Sequence, residues 1–396
     1  MDPEKAALAA QADYKPQPQR RRISKAIVLA ACAFSLWSLS STDISCVTDL
    51  FTSEPVITKA RCPQVEGLVP ELTNMDKVFE SKDFLDLQVA RLSGAVQIPS
   101  VSFDDLGPVG KDKRWEIFYK FADYLKVTYP RVHAELKLEV VNTHGLLYTW
   151  EGSDESLKPT LLMAHQDVVP VPDATVDAWT HPPFSGHFDG QYVWGRGSSD
   201  CKNQLTAILT SVEALLEAGF KPNRTVILSS GFDEEISGGE GAGHLAPFLL
   251  ERYGKDGIAV VVDEGSTFST VWGKTMALPG VGEKGYTDVH VTVRMPGGHS
   301  SIPPDHTSIG VLSELITLIE AHQYPTILDR QSNPYYGLLQ CSAAHAPDFP
   351  KSLHKLIDTK PSKCGHDKLA LEAAKIGGRG IKYLMQVSDS LCFISC

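Results

Sequence analysis

Carboxylates and one histidine repeatedly follow short apolar runs between residues 161 and 265 of this 396-residue chain. The runs have the length and the aliphatic, partly β-branched composition that favours buried strands. The polar clusters are, in chain order, His165-Gln166-Asp167, the Gly-rich turn from Gly195 to Asp200, Asp233-Glu234-Glu235 and Asp263-Glu264-Gly265. The carboxyl ends of parallel strands meet at one edge of a sheet. The pattern therefore predicts one site at that edge.

Helical patterns alternate with the strand-like runs. Apolar residues at helical spacing predict helices over residues 84–95, 115–128, 201–218 and 244–253. This alternation indicates an α/β fold, with a three-layer, twisted, mainly parallel sheet that carries helices on both faces. We assign residues 81–283 to this domain, and the chain is long enough for a second one.

The N-terminal residues have the pattern of a membrane anchor. Arg20, Arg21, Arg22 and Lys25 precede an uncharged apolar run, and residues 23–41 are close to the roughly 20 that span a bilayer. Basic residues before the span would keep residues 1–22 in the cytosol and place the rest across the membrane, as a single-pass type II anchor. A cleaved signal peptide is the alternative, although its charged region would be long and no clean cleavage site is present. Residues 42–80 are predicted to be a linker.

Two further features fit a lumenal location. Cys46 and Cys62, two of eight cysteines, flank a polar stretch and could form a disulfide in an oxidising lumen. The tripeptide Asn223-Arg224-Thr225 is a sequon that could be glycosylated there.

The charge of the chain argues against nucleic acid as a partner. The net charge is −11, whereas phosphate backbones require a basic surface. The Gly-rich turn before Asp200 lacks the Gly-Lys-Ser/Thr of a phosphate-binding loop.

The residue types in the clusters point to metal-assisted hydrolysis. His165 and Asp167 are two positions apart and face the same way on an extended backbone, so His165 could bind a metal that Asp167 supports. Asp200 could bridge two ions, and Asp263 follows another strand. Glu234 and Glu235 are adjacent and would face opposite ways, which favours one as ligand and the other as general base. Oxygen ligands with one imidazole suit Zn²⁺, Co²⁺ or Mn²⁺.

Each of these residues also has an ordinary structural explanation. A histidine after a strand is often hydrogen-bonded in the fold, Asp200 could cap the following helix, and an adjacent Glu pair is often solvated. Accidental alignment of such residues with several strand ends is improbable, which favours the metal site.

These motifs resemble the carboxypeptidase S, aminoacylase and carnosinase group of two-zinc metallopeptidases. The stretch from Trp179 to His187 is similar to the carboxypeptidase S branch in particular. The resemblance implies that His165, Asp200 and Asp263 hold one Zn²⁺, with Asp200 and Glu235 on the other. It implies that Glu234 is the general base and that Asp167 orients or tunes His165. The implied substrates are small peptides or N-acyl amino acids, and fungal members of this branch are membrane-anchored in the vacuole.

The resemblance extends to a second domain over residues 284–386. We predict a strand over residues 286–295 and an amphipathic helix over residues 309–321. The family implies an inserted α+β, ferredoxin-like lid that mediates homodimerisation. His299 matches a lid histidine that stabilises the oxyanion in the partner's site.

Family members continue beyond the lid to a late histidine that completes the second metal site. Residues 387–396 do not resemble them, so we expect a truncated gene model or splice form. Two interpretations stay open, a zinc carboxypeptidase of the vacuolar lumen and an incompetent fragment with partial metal binding. Within the first, N-acyl amino acid hydrolysis is the alternative reaction.

Overall fold

The computed structural model describes residues 62–64, 66–67, 75–265, 268–282, 284–285, 289–359 and 367–386. They belong to two units: the sheet unit, Glu66–Ser266, and the helical unit, Thr267–Cys396 together with Met1–Val65. The predicted span at 23–41 and the tail at 387–396 lie outside the described residues. Within the part of the chain that is described, no helix is long and apolar enough to cross a membrane.

The sheet unit is built around a five-stranded mixed sheet. The described residues of this unit form seven strands, five of them in this sheet: β1 (Lys137–Val141), β2 (Gly145–Trp150), β3 (Thr160–Met163), β4 (His187–Phe188), β5 (Val193–Trp194), β6 (Val226–Ser230) and β7 (Val260–Val262). The sheet has the order β1-β2-β6-β3-β7, and β4 pairs with β5 in a separate ribbon. Strands β6, β3 and β7 are mutually parallel, and β2 is antiparallel to both of its neighbours. Four of the five strands therefore run in one direction, which confirms the predicted α/β fold.

Helices cover both faces of this sheet. They are α1 (Met75–Phe79), α2 (Lys82–Val96), α3 (Ile117–Thr128), α4 (Pro130–Glu135), α5 (Lys202–Glu217) and α6 (Ala242–Tyr253). Successive residues of β2 point to opposite faces, as the pleat requires. Tyr148 packs in a core with Leu209 of α5, whereas Leu147 packs in a second core with Leu249 of α6. The three-layer arrangement is therefore confirmed.

The predicted helices of the sheet unit are confirmed, and local chemistry explains their ends. Helix α2 begins after Ser81, whose hydroxyl accepts a hydrogen bond from the Phe84 amide at 3.2 Å. Helix α5 buries a stripe of apolar residues at helical spacing, and the chain leaves it at Gly219 with φ +73°. The predicted helix at 115–128 begins as a 3₁₀ turn, Lys113–Glu116, and continues as α3.

The helical unit contains one hairpin and four helices among its described residues. They are β8 (Phe268–Val271), β9 (Lys274–Ala277), α7 (Ser308–Ala321), α8 (Pro334–His345), α9 (Lys351–Leu356) and α10 (Lys368–Leu384). Helix α7 confirms the helix predicted at 309–321. The strand predicted at 286–295 is wrong for the described residues 289–295, which form no regular structure and belong to no sheet among the residues that the structure describes. The ferredoxin-like arrangement stays a prediction.

Cys62 is joined to Cys341 by a disulfide within the helical unit. The Cα atoms are 4.9 Å apart across a sequence separation of 279 residues, within the range that a disulfide needs. The pairing of Cys62 with Cys46 that the sequence suggested is therefore wrong, because proximity along the chain does not decide which Cβ atoms meet. Cys46 lies outside the described residues.

Candidate metal centre

The ends of three parallel strands bring the predicted site together. In the sheet register, Met163 of β3 lies beside Ser229 of β6, and Leu162 lies beside Val262 of β7. The segments that leave these strands carry His165, the Asp233-Glu234-Glu235 run and the Asp263-Glu264 pair. They therefore emerge at the same edge of the sheet.

Three carboxylates surround one nitrogen of His165. The Nε2 atom lies 3.0 Å from Asp200 Oδ1, 3.7 Å from Glu264 Oε2 and 3.8 Å from Glu234 Oε2. Ligand atoms of His165, Asp200, Cys201 and Glu264 all lie within 4.8 Å of one another. The His165 side chain is 4% exposed, whereas the Asp200 side chain is 66% exposed. The cluster is thus buried on the side of His165 and open on the side of Asp200, through which a substrate could approach.

The carboxylate of Asp167 is the buried support of this site. Its side chain is fully buried, and its Oδ1 lies 3.2 Å from Nδ1 of His165. The backbone amides of Glu234 and Glu235 donate to its two oxygens, each at 3.1 Å. Ser102 Oγ donates a further hydrogen bond to Oδ2 at 2.7 Å. Asp167 therefore fixes His165 and the backbone that carries Glu234 with the same carboxylate.

Asp233 has a structural role in this loop. It is buried, and its carboxylate accepts hydrogen bonds from the backbone amides of Glu240 and Gly241, at 2.6 and 2.7 Å. These bonds close the loop between β6 and α6. Glu234 and Glu235 start the 3₁₀ turn Glu234–Ile236 inside that loop, so its shape sets where their side chains begin.

A buried lysine anchors the turn that carries Asp200. The ammonium of Lys202 donates to the backbone carbonyls of Ala95 and Ile98, at 3.0 and 2.6 Å. Ala95 is in the last turn of α2 and Ile98 lies two residues beyond the helix, and the C-terminal end of a helix favours a positive charge. Burial lowers the pKa of Lys202 to about 7.

The same turn requires a glycine at position 197. Gly197 has φ +86°, a conformation that side chains disfavour, and a Cβ there would lie 2.5 Å from Val168 Cγ1. The close approach of this backbone to Val168 brings Asp200 to the end of β3.

The charges at this edge are unbalanced in favour of a cation. Burial raises the pKa of Glu264, and after the opposing effect of His165 and the repulsion from Glu234 it lies at about 7. Burial also raises the pKa of Glu234 and of Glu235. For His165, burial lowers the pKa, but the hydrogen bonds to Asp167 and Cys201 raise it more, to about 12. A positive charge is therefore strongly favoured at this point of the protein.

The residues present fit a divalent metal ion. One imidazole nitrogen and several carboxylate oxygens converge, which is a donor set for Zn²⁺, Mn²⁺ or Co²⁺. The Cys201 sulfur is also close, but it is buried, accepts a hydrogen bond from the His165 amide at 3.3 Å, and burial raises its pKa. The oxygen ligands, rather than this thiol, are therefore the groups suited to the ion.

The structure places the predicted residues in three groups. His165, Asp167, Asp200 and Glu234 come together as described. Glu235 and Asp263 lie near this cluster but outside the 4.8 Å group. The charge of Asp263 adds to the effect of burial in raising the pKa of Glu264. The charge of Asp200 does the same for the pKa of Glu235. His299 belongs to the helical unit, where its Nδ1 accepts a hydrogen bond from the Ser301 amide at 3.2 Å. Its role as an oxyanion donor stays a prediction.

Glu264, Ser102 and Lys202 are the residues that the sequence reasoning missed. The sequence pattern assigns no role to Glu264 of the Asp263-Glu264-Gly265 motif, although Glu264 is the member of the pair that approaches His165. The turn after β7 decides which of two adjacent carboxylates points inward, and strand alternation alone does not describe a turn. For Ser102, the sequence contained no comparable signal.

Comparison with known proteins identifies the family. A model of peptidase family M20/M25/M40 matches residues 161–374, more than half of the chain. The chain belongs to this family. The matched region includes the whole cluster around His165, and the resemblance to the carboxypeptidase S group is thereby confirmed.

Curated relatives of this family match the chain over much of its length. It is 49% identical to carboxypeptidase S of Saccharomyces cerevisiae over 302 residues, 75% of this chain and 52% of that one. It is 39% identical to the N-fatty-acyl-amino acid synthase/hydrolase PM20D1 of Mus musculus, over 60% of this chain and 46% of that one. Among solved structures, human carnosine dipeptidase 1 matches with a TM-score of 0.40 and 19% identity, over 50% of this chain and 42% of that one. The chain spans about half the length of the curated relatives it matches.

Proposed function

We propose that this chain is a metal-dependent carboxypeptidase that hydrolyses C-terminal residues from small peptides. The observation that carries the proposal is the convergence of three carboxylates on His165 Nε2, with Glu234 among them. The similarity to carboxypeptidase S of Saccharomyces cerevisiae supports the choice of substrate class.

The residues that would hold the metal are His165, Asp200 and Glu264. Asp263 and Glu235 lie beside them, and the family resemblance assigns both as ligands. A bound divalent ion would supply Lewis acidity, which polarises the scissile carbonyl and makes water easier to deprotonate. The buried carboxylate of Asp167, next to Nδ1 of His165, would keep the ligand nitrogen of His165 in one orientation.

Glu234 is suited to transfer the proton. Its side chain is half-exposed, its Oε2 lies 3.8 Å from His165 Nε2, and burial raises its pKa above the usual value of a glutamate. A carboxylate with a raised pKa accepts a proton from water more readily and can then give it to the leaving amine. Its backbone is fixed by Asp167, so the carboxylate starts from a defined position.

The test is the Glu234→Gln substitution on the purified chain with an N-blocked Gly-Leu dipeptide as substrate. We expect kcat to fall by at least about 100-fold, as for loss of a general base, while metal content stays unchanged. Glu217→Gln, at the exposed end of α5, is the matched control and should keep full activity. Loss of metal together with activity would show that Glu234 is a ligand rather than the base.

A second candidate reaction is the hydrolysis of N-acyl amino acids. The similarity to N-fatty-acyl-amino acid synthase/hydrolase PM20D1 favours it, and the same cluster would serve because both reactions cleave an amide. The ratio of kcat/KM for the blocked dipeptide and for an N-fatty-acyl amino acid discriminates between them. A ratio below one would replace the first proposal by the second.

The interpretation as an incompetent fragment is less well supported. His165, Asp167, Asp200 and Glu234 come together within the sheet unit, in the sequence region that the family model matches. The peptide assay above also decides this point, since an incompetent chain would show no turnover with any metal added.

We further propose Zn²⁺ as the resident metal, a vacuolar lumenal location with a membrane anchor at residues 23–41, and a homodimer formed through the helical unit. The Cys62–Cys341 disulfide supports an oxidising compartment. Exposed apolar side chains on α7, including Ile309 and Leu318, support a covered helix face. Metal analysis, protease protection of sealed vesicles and sedimentation test the three proposals in turn.

A further inference from the structure

We propose that Asn223 carries an N-linked glycan. The chain contains one Asn-X-Ser/Thr tripeptide with X other than proline, Asn223-Arg224-Thr225, and such a tripeptide is the acceptor for this modification. The proposal rests on the lumenal location proposed above.

The structure leaves this asparagine accessible. Asn223 is exposed in the turn between α5 and β6. Its Oδ1 accepts a hydrogen bond from Ser153 Oγ at 3.1 Å. Its backbone carbonyl accepts one from the Asp154 amide at 2.9 Å. The Nδ2 atom, to which a sugar would be joined, has no hydrogen-bond partner among the described residues. The turn is thus held in place while the reactive nitrogen stays free.

The surroundings of Asn223 have room for a sugar chain. Ser153 and Pro222, its partner and its chain neighbour, line an open groove with a volume of about 610 Å³. Trp150 and Phe220 also line this groove, and aromatic side chains offer apolar faces to sugar rings. A glycan at this position would therefore extend over a recess rather than against a packed surface.

The position also keeps a glycan away from the metal centre. Thr225 directly precedes β6, and the Asp233-Glu234-Glu235 run follows the other end of the same strand. The five residues of β6 lie between the two ends. Each residue advances the chain by roughly 3.3 Å along the strand, so the two ends are well separated. The modification would therefore leave the substrate's approach to His165 open.

The reaction requires a lipid diphosphate-linked oligosaccharide as the sugar donor. A bond forms between Asn223 Nδ2 and the anomeric carbon, and the bond between that carbon and the diphosphate oxygen breaks. The amide nitrogen loses one proton, and the lipid diphosphate leaves with the bonding electrons.

The experiment expresses the full chain in yeast and compares its gel mobility before and after treatment with an endoglycosidase specific for N-linked glycans. We expect wild type and Thr225→Ser, which keeps the sequon, to shift to higher mobility, and Asn223→Gln and Thr225→Val to show no shift. Asn223→Gln should hydrolyse the blocked dipeptide at the wild-type rate. Peptide mapping under non-reducing conditions records the Cys62–Cys341 disulfide in the same samples.

Absence of a shift overturns the proposal, and the disulfide shows at which step it failed. With the disulfide present, the chain has reached an oxidising lumen and Asn223 is not an acceptor. With free thiols, the lumenal location is wrong as well. The carboxypeptidase assay is independent of both results.

Discussion

Replacing Ser102 by alanine should weaken the metal centre although Ser102 is not expected to touch the metal. Ser102 and Asp167 are both fully buried, and their hydrogen bond of 2.7 Å joins a hydroxyl to a carboxylate. A hydrogen bond to a charged group contributes about 1.5–3 kcal/mol, and the buried Oδ2 of Asp167 would keep only the Glu235 amide as a donor. We therefore expect Ser102→Ala to lower the free energy of unfolding by that amount. Because Asp167 also supports His165, metal affinity should fall about 10- to 100-fold.

Ser100→Ala is the matched control for this substitution. Ser100 is equally buried and lies two residues away, but its hydroxyl donates to the backbone carbonyl of Gln166, at 2.6 Å. Its loss should cost only about 0.5–1.5 kcal/mol, the usual value for a neutral hydrogen bond, and should leave metal affinity unchanged. Urea unfolding of the metal-free chains and competition with a chelator measure the two quantities. Equal metal affinities in the two variants would refute the coupling through Asp167.

Three further predictions concern other supports of the site. In the metal-free chain, Glu264 has a pKa raised from 4.5 to about 7. Its contribution to the free energy of unfolding is therefore complete below about pH 4.5 and is lost as pH rises through 7. Urea unfolding with a chelator present should show this loss of stability, and the Glu264→Gln variant should lose less stability over the same pH range. Lys202→Met should lower the free energy of unfolding by about 1.5–3 kcal/mol, because two carbonyls lose a charged donor and keep only backbone amides, and an unchanged urea midpoint would contradict its anchoring role. Gly197→Ala should destabilise by more than about 1 kcal/mol, since φ is +86° and the new methyl would meet Val168; circular dichroism during heating measures it, and a melting temperature equal to that of wild type would exclude the predicted strain.

The sequence predicted the fold of the sheet unit because local patterns decide it. Helix α5 buries Leu205, Leu209, Val212 and Leu216, a spacing that is visible without any structure. The valine-rich run before Asp263 likewise forms β7. Parallel strands then require the loops after them to meet at one edge, and this topological rule accounts for the meeting of His165 and Glu234. Asp200 follows the separate β4–β5 ribbon, so the rule does not explain its position.

Features that depend on a turn or on distant parts of the chain were not predictable in this way. The alternating residues 289–295 have the pattern of a strand, but a strand forms only where another strand completes its hydrogen bonds. The choice of Cys341 as the partner of Cys62 depends on how the helical unit folds. The hydrogen bond from Ser102 to Asp167 joins residues 65 positions apart. A serine in a loop carries no sequence mark that distinguishes this role from an ordinary turn residue.

The most direct test of the account is the metal content of the purified chain, measured by elemental analysis after dialysis against metal-free buffer. We predict that the wild-type chain retains a divalent metal and hydrolyses the N-blocked Gly-Leu dipeptide. His165→Ala and Asp200→Asn should lose both properties, whereas Glu217→Gln should keep them. A wild-type chain that retains no metal, or a His165→Ala chain that retains as much as wild type, would contradict the assignment of the cluster around His165 as a metal centre.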